Sequence, residues 1–307
     1  MAEKIERQKP VEQDKIKRRS NFEPVEENFT PEQAKEWGAT LISMPYEIKG
    51  KEVKPYVDFE KFNGKEYYDT LRKGVIPTTS ALNPEDYIQY FEPEFKAGND
   101  IFYVHFSAAM TATFNSMRLA LEELKEKYPE RKFYEVDTKG ITLQSYIIGK
   151  EIVRLIREEH KTPEEVLEWA KTEVDHYACY FFADDLKFFG KSGRVSGIAA
   201  FMGGIIGIRP ILTMNSEGKM VPVGKVKGRR NAITKLVDYV QELGVDVKNQ
   251  TIVIGHADAM HLVEEIEAEV KARFGEDMKF EVVEVNPTAG AHCGPDTLGI
   301  GFYAKHR

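Results

Sequence analysis

The feature that most constrains the fold of this 307-residue sequence is an alternation of strand-like and helix-like segments between residues 84 and 159. The apolar runs at residues 101–106 and 133–136 predict strands, and the segments around them predict amphipathic helices. Parallel strands need a long crossover connection, which is usually a helix. The alternation therefore predicts βαβ units, with a mainly parallel sheet in an α/β/α arrangement.

The pattern changes after about residue 172. A predicted strand at residues 177–183 is followed by a Gly-rich apolar helix at residues 198–208. Two strands then flank the sequence Asn-Ser-Glu-Gly at residues 215–218, which is typical of a hairpin turn. We expect an α/β protein of two domains, a parallel-sheet domain at residues 29–172 and a mixed-sheet domain at residues 173–307.

The first 28 residues differ from the rest of the chain. They contain seven basic and seven acidic residues and almost nothing to bury, so we expect a disordered or atypical N-terminal tail. Thr30 is a candidate N-cap, and Pro31 suits the first position of a helix. A strand is predicted at residues 39–48.

Charge and apolar content limit the classes of function. The net charge of −7 disfavours binding to nucleic acid. The longest apolar stretch, residues 198–208, is interrupted by glycines and is too short to span a membrane. The tail has no apolar run like that of a signal peptide, and the two cysteines, Cys179 and Cys293, lie in no Cys/His cluster. We therefore expect a cytoplasmic protein without a metal or cofactor.

Four segments carry side chains that could bind an anion. Thr79 lies in a loop of three hydroxyl residues, and Ser107 follows a strand at the edge where open α/β sheets bind ligands. Arg194 lies between glycine and serine residues, at an expected helix start, and its guanidinium could hold a carboxylate. His292 lies between two glycines, in a segment that we expect to be extended. Capping loops and solvated surface turns are the structural alternatives.

These segments, in this order, resemble those of the DegV family, which includes the fatty-acid-binding subunits of bacterial fatty acid kinase. The resemblance runs from about Glu32 to the C-terminus. It rests on five segments. They are a Thr-Ser loop (79–80), a strand end with its helix start (107–116), a Leu…Gly-Arg-Val-Ser stretch (186–196), an Ile-Arg-Pro-Ile-Leu segment (208–212) and a His-Cys-Gly-Pro-Asp-Thr-Leu-Gly segment (292–299).

The resemblance implies a non-catalytic lipid-binding protein. It would bind a long-chain fatty acid and present the carboxylate to a separate ATP-dependent kinase, which forms an acyl phosphate. It implies a carboxylate site formed by Thr79, Ser107, Arg194 and His292. Candidate walls of the acyl tunnel come from the Gly-rich helix and are Phe201, Met202, Ile205 and Ile206.

The sequence departs from the family pattern in two places. The family usually opens with a strand that ends in Thr-Asp-Ser, and no such segment precedes Glu32. The first domain therefore lacks this strand or builds it from another segment. The family's Ser-Ser-x-Leu-Ser-Gly-Thr run reads Ser-Ala-Ala-Met-Thr-Ala-Thr at residues 107–113, without one serine and the glycine.

Other interpretations remain open at this stage. The basic residues Lys225, Lys227, Arg229 and Arg230 could meet an acidic partner or a membrane surface, or form a solvated strand. An enzyme could use His292 as acid/base and Arg194 as a clamp for a small anionic substrate. A regulatory protein that has lost its ligand is a third alternative. An apolar pocket favours the carrier, a small polar pocket favours the enzyme, and a filled tunnel favours the regulator.

Overall fold

The computed structural model describes residues 21–23, 31–42, 44–54, 63–195, 197 and 207–307. Short 3₁₀ turns occur at Ala108–Met110 and Val174–His176. The helices and strands of the described residues are, in chain order, β1 (Asn21–Glu23), α1 (Pro31–Trp37), β2 (Tyr46–Ile48), β3 (Lys51–Val53), α2 (Gly64–Arg72), β4 (Thr78–Thr79), α3 (Pro84–Lys96), β5 (Ile101–His105), α4 (Thr113–Lys127), β6 (Phe133–Asp137), α5 (Leu143–Arg157), α6 (Pro163–Glu173), β7 (Tyr177–Phe182), α7 (Lys187–Ser192), β8 (Ile208–Met214), β9 (Met220–Lys227), α8 (Arg229–Leu243), β10 (Thr251–His256), α9 (Met260–Phe274), β11 (Lys279–Glu284), α10 (Pro287–Cys293) and β12 (Leu298–Tyr303).

These strands form three sheets. The first is parallel, in the order β1-β5-β6, and a small antiparallel sheet has the order β3-β2-β4. The third has six strands in the order β11-β10-β12-β7-β8-β9, with β10 and β11 parallel and the other described neighbours antiparallel. The predicted fold class, with a parallel sheet in the first half and a mixed sheet in the second, is confirmed.

The strand β1 belongs to the N-terminal tail, for which the charge pattern predicted no strand. It pairs in parallel with β5, with Asn21 opposite Ile101 and Phe22 opposite Phe102. The parallel sheet therefore takes an outer strand from a segment that lacks the Thr-Asp-Ser sequence. The predicted strand at residues 39–48 is also corrected. Among the described residues of that range, only Tyr46–Ile48 form a strand, and it belongs to the small antiparallel sheet.

The strand β7 is buried on both faces. Cys179 and Phe181 pack in the core shared with the first half of the chain, whereas Ala178, Tyr180 and Phe182 face α8 and belong to a second core that also contains side chains of α9. Side chains alternate across a strand, so one strand serves both cores. The first of these faces is also covered by α5, which contacts β7, β10 and β12. The division of the chain between residues 172 and 173 stays a prediction.

The helix α10 corrects the expectation of extended chain around His292. The Asn286 side chain accepts a hydrogen bond from the Ala289 N–H at 2.9 Å, and Pro287 occupies the first turn. Both are strong helix-start signals. The sequence interpretation gave more weight to the glycines around His292 than to these helix-start signals, and therefore predicted an extended segment. Gly290 is required for packing instead, because a Cβ there would lie 2.6 Å from Tyr68 Oη on α2.

Within the described residues, no helix combines the length and the apolar character that crossing a bilayer requires. The Gly-rich helix predicted at residues 198–208 lies almost entirely outside the described residues. Only its last two positions are described, and Ile208 begins β8 there.

A close helix–sheet contact beside the cavity described below can be tested by substitution. A Cβ at Gly255 on β10 would lie 2.4 Å from Leu143 Cδ2 on α5. We expect Gly255→Ala to lower the free energy of unfolding by about 1–3 kcal/mol, the usual effect of overpacking. The matched control is Gly224→Ala on β9, where the nearest atom to a Cβ is Tyr239 Oη at 3.7 Å. If urea denaturation shows the same loss in the free energy of unfolding for both variants, this account is contradicted.

Candidate ligand-binding site

A cavity of about 210 Å³ lies where the loops of the first half meet the mixed sheet. A cavity of roughly 10–15 Å³ holds one water, so this one has room for a ligand of many atoms. Its walls are mainly apolar. They include Met44, Phe106, Ile141, Leu143, Phe181 and Met220.

Three of the four predicted carboxylate ligands line this cavity: Thr79, Arg194 and His292. Thr79 Oγ1 and His292 Nε2 are 3.0 Å apart. Thr79 is held on β4, where it pairs with Tyr46 of β2. His292 lies in the last turn of α10. Segments 213 residues apart in sequence thus meet at one polar end of the cavity.

Arg194 follows the end of a helix, which corrects its expected place at a helix start. The helix α7 ends at Ser192, and the φ of +65° at the C-cap residue Gly193 turns the chain sharply. The Arg194 side chain is exposed, and its guanidinium donates a hydrogen bond to the Ser192 carbonyl at 2.7 Å. Arg194 therefore places a positive charge where the cavity meets the surface.

His292 is neutral at physiological pH. Burial, followed by the nearby positive charge of Arg194, lowers the pKa of its imidazole from 6.5 to about 4. A neutral imidazole has one nitrogen that donates and one that accepts a hydrogen bond. The polar end of the cavity therefore combines one guanidinium charge with a neutral imidazole and a hydroxyl.

Ser107 is not brought together with the other three residues. Its hydroxyl is buried and donates to the Gly218 carbonyl at 2.6 Å, and it is not among the residues that line the cavity. Thr111, four residues further along, does line it. The predicted tunnel residues lie outside the described residues. They are Phe201, Met202, Ile205 and Ile206.

Sequence reasoning missed the residues that hold α10 in place. The Tyr67 hydroxyl on α2 donates to the Pro287 carbonyl at 2.6 Å, and the adjacent Tyr68 hydroxyl donates to the Val285 carbonyl. Both rings are buried. A pair of adjacent tyrosines in an amphipathic helix indicates a buried face, but it does not indicate which distant backbone the hydroxyls reach. The small antiparallel sheet, which carries Thr79, was missed for a similar reason.

Nothing in the described part of the chain suggests a metal centre, because no group of three or more His, Cys, Asp or Glu side chains there is arranged to hold an ion. The chemistry of the cavity is that of hydrogen bonds and one positive charge beside apolar walls.

The family comparison agrees with the motifs. A family model described as "Uncharacterised protein, DegV family" matches residues 27–305. The chain belongs to the DegV family. A DegV domain-containing protein of Clostridium perfringens is 30% identical over 239 residues, which cover 78% of this chain and 81% of that protein. The predicted resemblance is therefore confirmed.

Solved structures of other DegV proteins share the fold of this family member. One, described as showing fatty acid binding of a DegV family protein from Thermus thermophilus, has a TM-score of 0.78 at 23% identity and covers 90% of this chain and 96% of its own. Another, described as DegV, a fatty acid binding protein from Bacillus subtilis, has a TM-score of 0.77 at 21% identity, with coverages of 94% and 100%.

Because folding lowers the pKa of His292, we expect the stability of this DegV protein to depend on pH. Between pH 6.5 and 4 the unfolded chain binds a proton at this residue that the folded chain does not bind. Stability from this group is therefore complete above pH 6.5 and is lost as the pH falls. We expect a loss of about 2 kcal/mol in the free energy of unfolding between pH 7 and pH 5.

Urea denaturation at both pH values measures this loss. The variant His292→Asn should show a smaller decrease between pH 7 and pH 5 than the unsubstituted protein. His261→Asn, at an exposed position on α9, is the control and should keep the full decrease. An equal pH dependence for all three proteins would contradict the assignment.

Proposed function

We propose that this protein binds one long-chain fatty acid in the cavity and presents its carboxylate to a separate ATP-dependent kinase, which forms the acyl phosphate. The observation that carries the proposal is the arrangement of the cavity, which has apolar walls and one polar end where Thr79, Arg194 and His292 converge. The solved DegV relatives described as fatty acid binding proteins support it.

The polar end suits a carboxylate. A carboxylate removed from water needs several donors, or it is expelled or protonated. The guanidinium of Arg194 can give two parallel hydrogen bonds, and the hydroxyls of Thr79 and Thr111 can add one each. In this proposal Thr111 takes the position that the family pattern gave to Ser107, because Thr111 lines the cavity and Ser107 does not.

The apolar walls suit the acyl chain. Each buried CH₂ group contributes roughly 0.8 kcal/mol, so the tail supplies most of the affinity before ordering costs. The carboxylate end fixes the direction in which the lipid lies. Exposure of the Arg194 side chain at this end supports presentation of the carboxylate to a partner protein.

The same observations weigh against the two alternative functions, an enzyme for a small anionic substrate and a regulatory protein that has lost its ligand. An efficient general base at neutral pH needs a pKa near 7, whereas the pKa of His292 is lowered to about 4. This disfavours an enzyme that uses His292 as acid/base. The described side chains leave the cavity open rather than filling it, which disfavours a regulator that has lost its ligand.

Three of the four basic residues that the sequence predicted as a contact surface are exposed, which supports a docking role for those three. Lys225, Lys227 and Arg230 are exposed, and the two lysines lie on the edge strand β9. Arg229 is instead paired with Asp184, whose carboxylate also accepts from Arg209 Nε at 2.6 Å. We propose the three exposed residues as the contact for an acidic surface of the kinase, with transient contact to anionic lipid as the alternative occupant.

Calorimetry with saturated fatty acids of increasing length tests lipid binding. We expect affinity to rise about fourfold for each added CH₂ until the cavity is full, and then to level off. Arg194→Met should weaken binding by about tenfold to a hundredfold, since a hydrogen bond to a charged group is lost. The matched control, Arg230→Met, should bind normally. If the affinity changes neither with the length of the acyl chain nor with the Arg194→Met substitution, the proposed binding mode is ruled out.

A hydroxamate assay for acyl phosphate tests presentation. With ATP and fatty acid, the protein alone should form no acyl phosphate, and adding a DegV-dependent fatty acid kinase should start the reaction. Lys225→Glu with Lys227→Glu should slow the coupled reaction without changing fatty acid affinity, because the charge on β9 is reversed. Lys248→Glu, at another exposed site, is the control. Acyl phosphate formed by this chain alone would disprove the non-catalytic role.

A further inference from the structure

Ser107 connects the two halves of the chain. Its side chain is 1% exposed, and its hydroxyl donates to the Gly218 carbonyl at 2.6 Å and accepts from the Ala109 N–H at 3.2 Å. Gly218 belongs to the turn between β8 and β9, residues 215–219, here called the hairpin turn. The one proton that the hydroxyl can donate is thus committed to the hairpin turn of the second half of the chain.

The hairpin turn fits closely against Ser107. Gly218 has a φ of +74°, and a Cβ there would lie 2.2 Å from Ser107 Oγ and 3.4 Å from Lys139 Cα. The turn is closed internally, since the Gly218 N–H donates to the Asn215 carbonyl at 2.9 Å. Only a residue without a side chain allows this approach of the two backbones.

The hairpin turn leads directly to the polar end of the cavity. Met220, two residues after Gly218, is buried and lines the cavity. Met220 also forms an isolated parallel bridge with Val195, the neighbour of Arg194. A continuous series of contacts therefore runs from Ser107 through the hairpin turn to the residue beside Arg194.

We propose that Ser107 is a positioning residue that latches the hairpin turn, and with it Met220 in the cavity wall, in place and thereby fixes Arg194 for the carboxylate. The hydroxyl acts on the ligand through the backbone of the hairpin turn and does not touch it. This inference rests on the proposed role of Arg194 in fatty acid binding. Closure of the cavity by the latch is a property of the ligand-free protein and can be measured separately.

Thiol alkylation measures closure without any lipid. The two cysteines of the chain, Cys179 and Cys293, are both buried and both line the cavity. In ligand-free Ser107→Ala, N-ethylmaleimide should modify them about tenfold faster, the effect of one lost buried hydrogen bond. Hydrogen exchange at the amides of Gly218 and Lys219 should speed up in parallel. The control is Ser116→Ala, half-buried on α4, which should leave both rates unchanged.

Comparing a fatty acid with the fatty alcohol of the same length separates positioning from general destabilisation. Arg194 favours the carboxylate specifically, so Ser107→Ala should lose affinity for the acid and keep affinity for the alcohol. A purely structural defect weakens both ligands equally. Ser107→Thr keeps the hydroxyl and should recover part of the acid affinity.

Gly218→Ala tests the latch from the side of the hairpin turn. Its Cβ would displace the Ser107 hydroxyl and break the hydrogen bond to the turn, so the latch predicts the same loss as Ser107→Ala and no further loss in the double variant. Direct contact between Ser107 and the ligand, by contrast, predicts no change in alkylation or hydrogen exchange of the ligand-free protein. Unchanged alkylation and exchange in Ser107→Ala, or normal acid affinity in Gly218→Ala, would overturn the latch. If the unsubstituted protein binds neither acid nor alcohol, the proposed function fails, while alkylation and exchange still decide the latch.

Discussion

The contact between Thr79 and His292 is the constraint on which the rest of the site depends. Their side-chain atoms are 3.0 Å apart, although the residues are separated by 213 positions in sequence. Thr79 is fixed by the pairing of β4 with β2, and His292 by α10, which two tyrosine hydroxyls of α2 hold through backbone carbonyls. If either support is displaced, Thr79 and His292 move apart and the polar end of the cavity is lost.

Burial gives this polar end its chemical character. The imidazole of His292 stays uncharged at neutral pH because burial and the charge of Arg194 disfavour its protonated form. The single guanidinium is therefore the positive group that a ligand meets among Thr79, Arg194 and His292. One charge balanced by neutral donors matches one carboxylate better than it matches a phosphate with two charges.

The sequence predicted the parallel and mixed sheets because apolar runs such as Ile101–His105 and amphipathic helices such as α5 indicate buried faces directly. The resemblance to the DegV family predicted Thr79, Arg194 and His292 as carboxylate ligands, and all three line the cavity, while their role as ligands stays a prediction. Sequence reasoning missed α10, β1 and the small antiparallel sheet, which are short elements stabilised by distant partners. It also could not indicate that the hydroxyl of Ser107 reaches Gly218, 111 residues away, because no local pattern encodes that contact.

Native mass spectrometry of the purified protein, followed by denaturing extraction and lipid analysis, tests the central claim most directly. The account predicts one adduct per chain with the mass of a long-chain fatty acid, released on unfolding and recovered as the free acid. A protein that carries no adduct and gains no thermal stability when fatty acids are added would contradict it.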